Sequence, residues 1–345
     1  VLPLPADVKK VAVIGPFAKG GMIGFWSCHG KADEAVSVYD GIAAHVGADN
    51  VSYAQGADMA VRAKPDFDMI GEAVEAAKNA DCAVLCLGEG ALMSGEGNSR
   101  ADVALSDAQK TLVRAVSAVN KNTVVILFNG RPLALGDIID DAPAFMTLWQ
   151  PGTEGGSAAA NLLFGKVNFE GRLTMSFPYH VGQCPIYYNR MMTGRPKPRD
   201  DKHYPYSSNY IDYPNSPLFP FGYGLSYTSF SVSEPTLSAE KMTPDEAITA
   251  TVSVKNTGSV AGVANVQLYV RDLAASYARP IRELKGYEKV ELLPGEEKTV
   301  TFKITDDMLA FHTADGGFAS EAGDFHVFVS ENAEAGKPVA FKLVK

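Results

Sequence analysis

The chain has 345 residues, 46% hydrophobic and 21% charged, so it can bury a sizeable core, and its length favours two domains over one. A net charge of −9 argues against a nucleic-acid surface and offers no polybasic handle for an anionic membrane. The apolar runs are of strand length, too short to insert as a transmembrane helix, and the opening VLPLPADVKKVAVIGP lacks the n- and h-regions of a signal peptide.

Two periods alternate through the first half. KKVAVIG (9–15) predicts a strand ending in a Gly/Pro turn, and DEAVSVYDGIAAHVG (33–47) a helix. VSYAQG (51–56) reads as a short strand, and PDFDMIGEAVEAAKNA (65–80) as a helix with Ile70, Ala73, Val74 and Ala77 on one face. DCAVLCLG (81–88) is a buried strand. SDAQKTLVRAVSAVN (106–120) opens with a capping box, Ser106 as N-cap and Gln109 three residues on. TVVILFNG (123–130) and AFMTLWQPG (144–152) are further strands, and TEGGSAAANLLFG (153–165) is a helix. Short apolar strands separated by amphipathic helices predict an α/β sandwich over residues 1–178, a mostly parallel sheet with helices on both faces. In such sheets the loops beyond the carboxyl ends of the strands form the binding edge. Four glycine-rich loops should crowd that edge here: 15–30, 88–100, 129–133 and 150–156.

Residues 179–228 are dense in Tyr, Pro, Asn and Gly and read as an extended connector lying on a surface. From 229 to 345 the pattern is all strand, with turn signals such as NTG and LPGE. About seven short strands suggest a β-sandwich of immunoglobulin or fibronectin III type, and without a cysteine pair it is not an antibody-type domain. The four cysteines, at 28, 82, 86 and 184, show no metal pattern. Cys82 and Cys86 share a strand face but lie roughly 13 Å apart, too far for a disulfide.

Several chemistries fail on spacing. GPFAKGG is neither a dinucleotide fingerprint nor a Walker A loop. GGSAA (155–159) comes nearest to a serine-hydrolase elbow, but its small residues suit close helix–sheet packing better. The six histidines are scattered, and His29, beside Trp26, suits a surface or packing role better than a ligand contact. Carboxylate chemistry remains. A glycosidase needs two carboxyl groups flanking the scissile bond, one of them neutral so that it can protonate the leaving oxygen. The loop CLGEGALMSGEGNSRAD (86–102) carries Glu89 and Glu96 among four glycines, where the backbone can approach a sugar and a side chain can reach across a cleft. Spacing alone makes this a weak signal, because a glutamate in a polar loop is usually just solvated.

Longer matches sharpen it. KKVAVIGPFA, GFWSCHGKADEAVSVYDGI, SGEGNSRADVALSDAQ, VVILFNGRPLAL, QPGTEGGSAAANLLFGKVNFEGRLTMSFP, PLFPFGYGLSYTSF and RPIRELKGYEKVELLPGEEKTVTF occur in this order along the chain. With them the whole chain resembles the C-terminal half of glycoside hydrolase family 3 enzymes, the bacterial periplasmic β-glucosidases above all. The resemblance implies a TIM-like barrel followed by a five- or six-stranded α/β sandwich and a fibronectin III-like domain. It implies a retaining mechanism with an aspartate nucleophile from the barrel and an acid/base glutamate from a sandwich loop. The family position, in a Ser-Gly-Glu-Gly type segment before an arginine, falls on Glu96, with Glu89 as runner-up. Ser94 and Met93 are expected at the leaving-group subsite. Trp26 is expected to be a sugar platform or a loop anchor, and Arg100 to bind sugar, orient the loop or form an ion pair. The NGRPL segment is expected at the edge facing the barrel, with no role singled out for Arg131. The pair Cys28–His29 is unusual for its loop.

No cofactor and no metal are implied. The expected partners are a β-glucoside or oligosaccharide and a barrel in cis or on a separate subunit, and a homodimer is compatible with both. Neither nucleic acid nor membrane insertion is expected. No Ser-Asp-Trp-type nucleophile segment occurs in the chain, so the expectation is a part of a longer or split enzyme, inactive alone and periplasmic or secreted. Two other readings share the fold: a non-catalytic carbohydrate-binding or scaffold protein, and a related glycosidase such as a β-xylosidase.

Overall fold

A computed structural model of the chain describes residues 1–198, 202 and 204–345. Residues 199–201 and 203 of the expected connector lie outside the described residues. Two compact units are present: Val1–Val167 with Pro178–Cys184, and Asn168–Phe177 with Pro185–Lys345.

The first unit is built on β1 (Val11–Ile14), β2 (Val51–Ala54), β3 (Cys82–Gly88), β4 (Thr123–Phe128) and β5 (Ala144–Trp149). They form one parallel sheet in the order β2-β1-β3-β4-β5. Every residue of β1, β3 and β4 is buried, as the uninterrupted apolar runs require of strands covered on both faces. The free thiols of Cys82 and Cys86 lie within β3. Burial, with a smaller contribution from Asp81, pushes Cys82 up to about 12, and burial also pushes Cys86 up, so both are unreactive core residues.

Four helices cover the sheet: α1 (Val38–Val46), α2 (Phe67–Lys78), α3 (Asp107–Val119) and α4 (Gly155–Leu163). Travel along the sheet reverses after β2, so right-handed crossovers put α1 on one face and α2 and α3 on the other. α1 packs with α4, and α2 with α3. Three local expectations change. The helix predicted over 33–47 is split: Ala32–Glu34 form a separate 3₁₀ turn, and extended Ser37 caps α1 by accepting from the Asp40 N–H. The small residues of GGSAA permit close contact between helices, not between helix and sheet. A Cβ on Gly156 would lie 1.9 Å from the Ser37 carbonyl oxygen at the start of α1.

The third change bears on the site. Ser106 caps α3 by accepting from the Gln109 N–H, but the Gln109 side chain does not return to Ser106. Its Oε1 accepts from the Gly88 N–H at 2.7 Å and its Nε2 donates to the Gly88 carbonyl at 3.1 Å. Pairing of β3 with β1 stops at Leu85, whereas pairing with β4 runs on to Gly88. Gln109 therefore supplies, from a helix, the partner that β1 is too short to provide. Gly88 has φ +129°, and a Cβ there would sit 1.9 Å from the Phe128 carbonyl oxygen, so only glycine lets the two strand ends approach this closely.

The second unit is a β-sandwich. Its strands are β6 (Phe230–Val232), β7 (Thr236–Leu237), β8 (Lys241–Met242), β9 (Ala247–Asn256), β10 (Gly262–Asp272), β11 (Glu283–Leu292), β12 (Glu297–Thr305), β13 (Phe311–His312), β14 (Phe318–Ala319), β15 (Gly323–Ser330) and β16 (Val339–Leu343). One sheet runs β11-β10-β15-β16-β8; the other runs β12-β9-β6, with β7 also on β9. The inward residues of β9, Ile248, Ala250, Val252 and Val254, meet Ala264, Val266 and Leu268 of β10 and Phe325 and Val327 of β15 in one core. The two-residue strands raise the number above the seven expected, because so short a pairing leaves no periodicity to read. In the described part of the connector, Tyr188 stacks on Phe221 at 4.5 Å and meets buried Tyr269 edge-on at 6.0 Å, so it packs as an ordered strap.

Gln109→Ala leaves the buried Gly88 N–H and C=O without partners. It should lower the unfolding free energy of the first unit by about 1–3 kcal/mol. Urea denaturation followed by circular dichroism measures this, and an unchanged midpoint would mean that the bridge to β3 contributes nothing.

Candidate functional site

The loops after β1, β3, β4 and β5 meet at the carboxyl edge of the parallel sheet. Phe17, just past β1, packs its ring 6.1 Å from that of Phe128. Further along the same loop the Phe25 ring covers the backbone of Gly95, where a Cβ would lie 2.4 Å from the ring. Ser94 rests on Gly130, where a Cβ would lie 1.7 Å from its Oγ, and the Gln150 side chain covers Gly24. Glycine is needed at 95 and 130 because the loops touch backbone to side chain, with no room for another atom.

Two glutamates share the loop after β3, in opposite environments. Glu89 follows directly on the strand, and its N–H donates to the Phe128 carbonyl at 2.7 Å. Its side chain is completely buried. Arg100 Nη1 donates to its Oε1 at 2.7 Å, and Arg131 Nε lies 3.1 Å from the same oxygen. The Gly130 N–H approaches Oε2 at 3.4 Å. A carboxylate removed from water costs several kcal/mol unless it is paired and hydrogen-bonded, and Glu89 is both. So enclosed, it cannot reach a leaving group. The runner-up glutamate is a structural anchor.

Glu96 is the reverse. It is exposed, and its carboxylate has no hydrogen-bond or ion-pair partner among the described residues. It stands between Gly95 and Gly97 on the tip of the loop, where the Asn98 N–H closes a turn on the Gly95 carbonyl at 3.1 Å. Both arginines hold this loop. Arg131 Nη2 donates to the Met93 carbonyl at 2.5 Å and to the Asn98 carbonyl at 2.9 Å. Arg100 Nη2 donates to the Ala104 carbonyl at 2.7 Å.

Among the other expected site residues, Ser94 and Met93 sit half-buried at the base of the tip. Arg100 is only 10% exposed and turned onto Glu89 and Ala104. Trp26 is 63% exposed and stands edge-on to Phe25 at 5.1 Å, so Phe25, which sequence reasoning passed over, is the ring that packs against the loop. Leu92, at 78% exposed, adds a second open apolar side chain near the tip. Cys28 and His29 are exposed, and Cys28 has φ 52°, uncommon for a residue with a Cβ. Arg131 and Gln109 were missed as a linked set. The signal was the register of β3 with β4: once Gly88 pairs Phe128, residues 89 and 130–131 must be neighbours. Among the described residues, no group of three or more His, Cys, Asp or Glu is placed to hold a metal, and no helix is long and apolar enough to cross a membrane.

A parallel sheet bearing this loop cluster, followed by a mostly antiparallel β-sandwich, is the arrangement that two family models match. The model of the glycosyl hydrolase family 3 C-terminal domain matches residues 1–227, and that of the fibronectin type III-like domain matches 264–333. The chain belongs to glycoside hydrolase family 3. It is 42% identical to a periplasmic β-glucosidase of Salmonella typhimurium over 99% of this chain and 47% of the relative. A β-xylosidase of Formosa agariphila is 40% identical over 96% of this chain and 46% of the relative. A crystal structure of a β-glucosidase from Listeria innocua in complex with isofagomine matches with a TM-score of 0.92 at 36% identity, over 99% of this chain and 47% of that one. The chain thus spans about half the length of the curated relatives it matches.

Removing the Glu89 carboxylate should cost far more than its own interactions suggest, since two guanidinium groups are then left without their partner. Glu89→Leu should destabilise the first unit by about 3–5 kcal/mol. The triple change Glu89→Leu/Arg100→Met/Arg131→Met, which removes the charges together, should recover part of that loss. Urea midpoints of the two variants check this; a triple variant as unstable as the sum of its parts would contradict the pairing argument.

Proposed function

We propose that this chain supplies the acid/base catalyst of a retaining β-glucosidase, and that Glu96 is that catalyst. The observation carrying the reading is the contrast on one loop: Glu89 is enclosed by two arginines, while Glu96 is held out on a braced tip with its carboxylate free. Membership of the family and the match to the Listeria innocua β-glucosidase support the reaction class. In this reading an aspartate on a TIM-like barrel outside the chain attacks the anomeric carbon of a terminal β-glucosyl residue. Glu96 gives its proton to the departing oxygen, and that bond breaks as the glycosyl–enzyme bond forms. The resulting carboxylate then takes a proton from water, which attacks the intermediate and restores both carboxyl groups. For a retaining enzyme the two carboxyl groups stand about 5–5.5 Å apart.

Exposed Trp26 and half-buried Met93 and Ser94 border the tip, where a departing sugar or alkyl group would lie. Arg100 acts by holding Glu89 rather than by touching sugar. The first unit is without activity until the barrel is joined to it, in cis or as a subunit. The Salmonella typhimurium relative favours a periplasmic enzyme. One observation favours a second specificity: the Formosa agariphila relative named a β-xylosidase is almost as similar as the β-glucosidase. A xylosyl substrate would use the same acid, and the 4-nitrophenyl glucoside and xyloside assayed side by side separate the two.

The test of Glu96 is Glu96→Gln in the complete polypeptide. The kcat/KM for alkyl β-glucosides or disaccharides, which need a proton on the leaving oxygen, should fall about 10²–10⁴-fold. The value for 2,4-dinitrophenyl β-glucoside, whose leaving group departs as a stable anion, should fall far less. Small and equal losses on both would remove Glu96 from the acid/base role and favour a binding or scaffold protein.

A further inference from the structure

Glu96 stands between two glycines, on a tip closed by a single backbone turn bond. Left to itself such a tip would sample many conformations, and a proton donor must be held to within a fraction of an ångström to be effective. The restraint comes from the neighbouring loop. Nη2 of Arg131 has two N–H groups; one donates to the Met93 carbonyl and the other to the Asn98 carbonyl. These two carbonyls bracket the segment 94–97, so a single nitrogen draws the base of the tip together. Nε of the same guanidinium rests on Glu89, which is anchored by its N–H on β4 and follows the residue that Gln109 pins. Sheet, Glu89, Arg131 and tip thus form one continuous path to the backbone of Glu96.

We infer that Arg131 is the positioning residue for the acid/base glutamate: its guanidinium, braced on Glu89, fixes the Met93 and Asn98 carbonyls and thereby the place of the Glu96 carboxyl. The inference rests on the acid/base reading of Glu96. Arginine suits the task and lysine does not. The planar fork presents Nε to the carboxylate while Nη2 reaches two carbonyls in a fixed geometry, whereas an ammonium is a single point on a flexible stem. In this geometry Nε and both N–H groups of Nη2 are turned toward the protein.

The experiment uses the complete enzyme and two substrates, methyl β-glucoside and 2,4-dinitrophenyl β-glucoside. Arg131→Met should lower kcat/KM for the methyl glucoside about 10²-fold, mostly through kcat, with a loss of under about 3-fold for the dinitrophenyl glucoside. Combined with Glu96→Gln, it should add little on the methyl glucoside, because a misplaced acid and a missing acid are the same loss. Arg131→Lys should give the same leaving-group pattern with a smaller amplitude. Equal losses on both substrates, or full additivity with Glu96→Gln, would overturn the role of Arg131 while leaving that of Glu96 intact. Failure of the acid/base reading is separately visible, as small and equal losses in Glu96→Gln with Arg131 unchanged. If Arg131→Met does not fold, Arg131→Lys decides: native kcat/KM on both substrates overturns the inference. Should neither fold, hydrogen exchange on the unaltered enzyme decides. A protected Asn98 amide is expected, and exchange at the rate of an unstructured peptide overturns the inference.

Discussion

A carboxylate shut away from water must be met by positive charge, and much of the candidate site follows from that one demand. Glu89 emerges at the carboxyl end of a strand buried on both faces, so its side chain has no route to solvent. Two arginines answer it, one from further along its own loop and one from the loop after the neighbouring strand. Neither guanidinium is used up by the carboxylate. Each turns its Nη2 onto backbone carbonyls of the same loop, so neutralising one charge also gives shape to a segment rich in glycine. The sheet makes this possible. Parallel strands deliver consecutive loops to one edge, and the reversal of travel after β2 brings the loops of β1 and β3 side by side.

The same loop shows how environment assigns roles to chemically identical groups. Glu89 and Glu96 are seven residues apart in sequence. One is a fixed charge around which the loop is organised. The other is left free at the tip, in reach of whatever lies beyond the edge. A catalytic carboxyl needs freedom from competing partners together with a fixed position, and these requirements conflict unless another group supplies the rigidity. Here the packing of Phe25 on Gly95 and of Ser94 on Gly130 adds to the bonds from the arginines. Trp26 remains open beside them. The chain spans about half the length of the curated relatives it matches.

Much of the architecture was legible because it rests on local periodicity. The strands β1, β3 and β4 are uninterrupted apolar runs since both their faces are covered, and the face of α2 named from spacing contains buried Ile70, Ala73 and Ala77. The long alternating strands β9 and β12 show which side faces the sandwich core. Where local rules were insufficient, a distant partner had intervened. Gln109 has the sequence position of a capping-box residue, but an unpaired strand end competed for its amide and won. The glycines before α4 suited packing on a sheet, but the helix that reached them was α1. The two-residue strands β7 and β8 exist only because a longer neighbour offers a free edge, which no window of sequence reveals.

By itself the sequence determined the succession of strands and helices, the four loops at one sheet edge, and the two glutamates on the second longest of those loops. These follow from periodicity and composition, which are properties of neighbouring residues. The tertiary structure alone decided which glutamate is enclosed, that Arg131 and Arg100 converge on it, and that one guanidinium ties together Met93 and Asn98. Those facts depend on strand order and register, which bring residue 89 beside 131 across a gap of 42 positions. Electrostatics and hydrogen bonding act through space, so a charge and its partner can be recognised separately along the chain, but their pairing exists only once the sheet has formed.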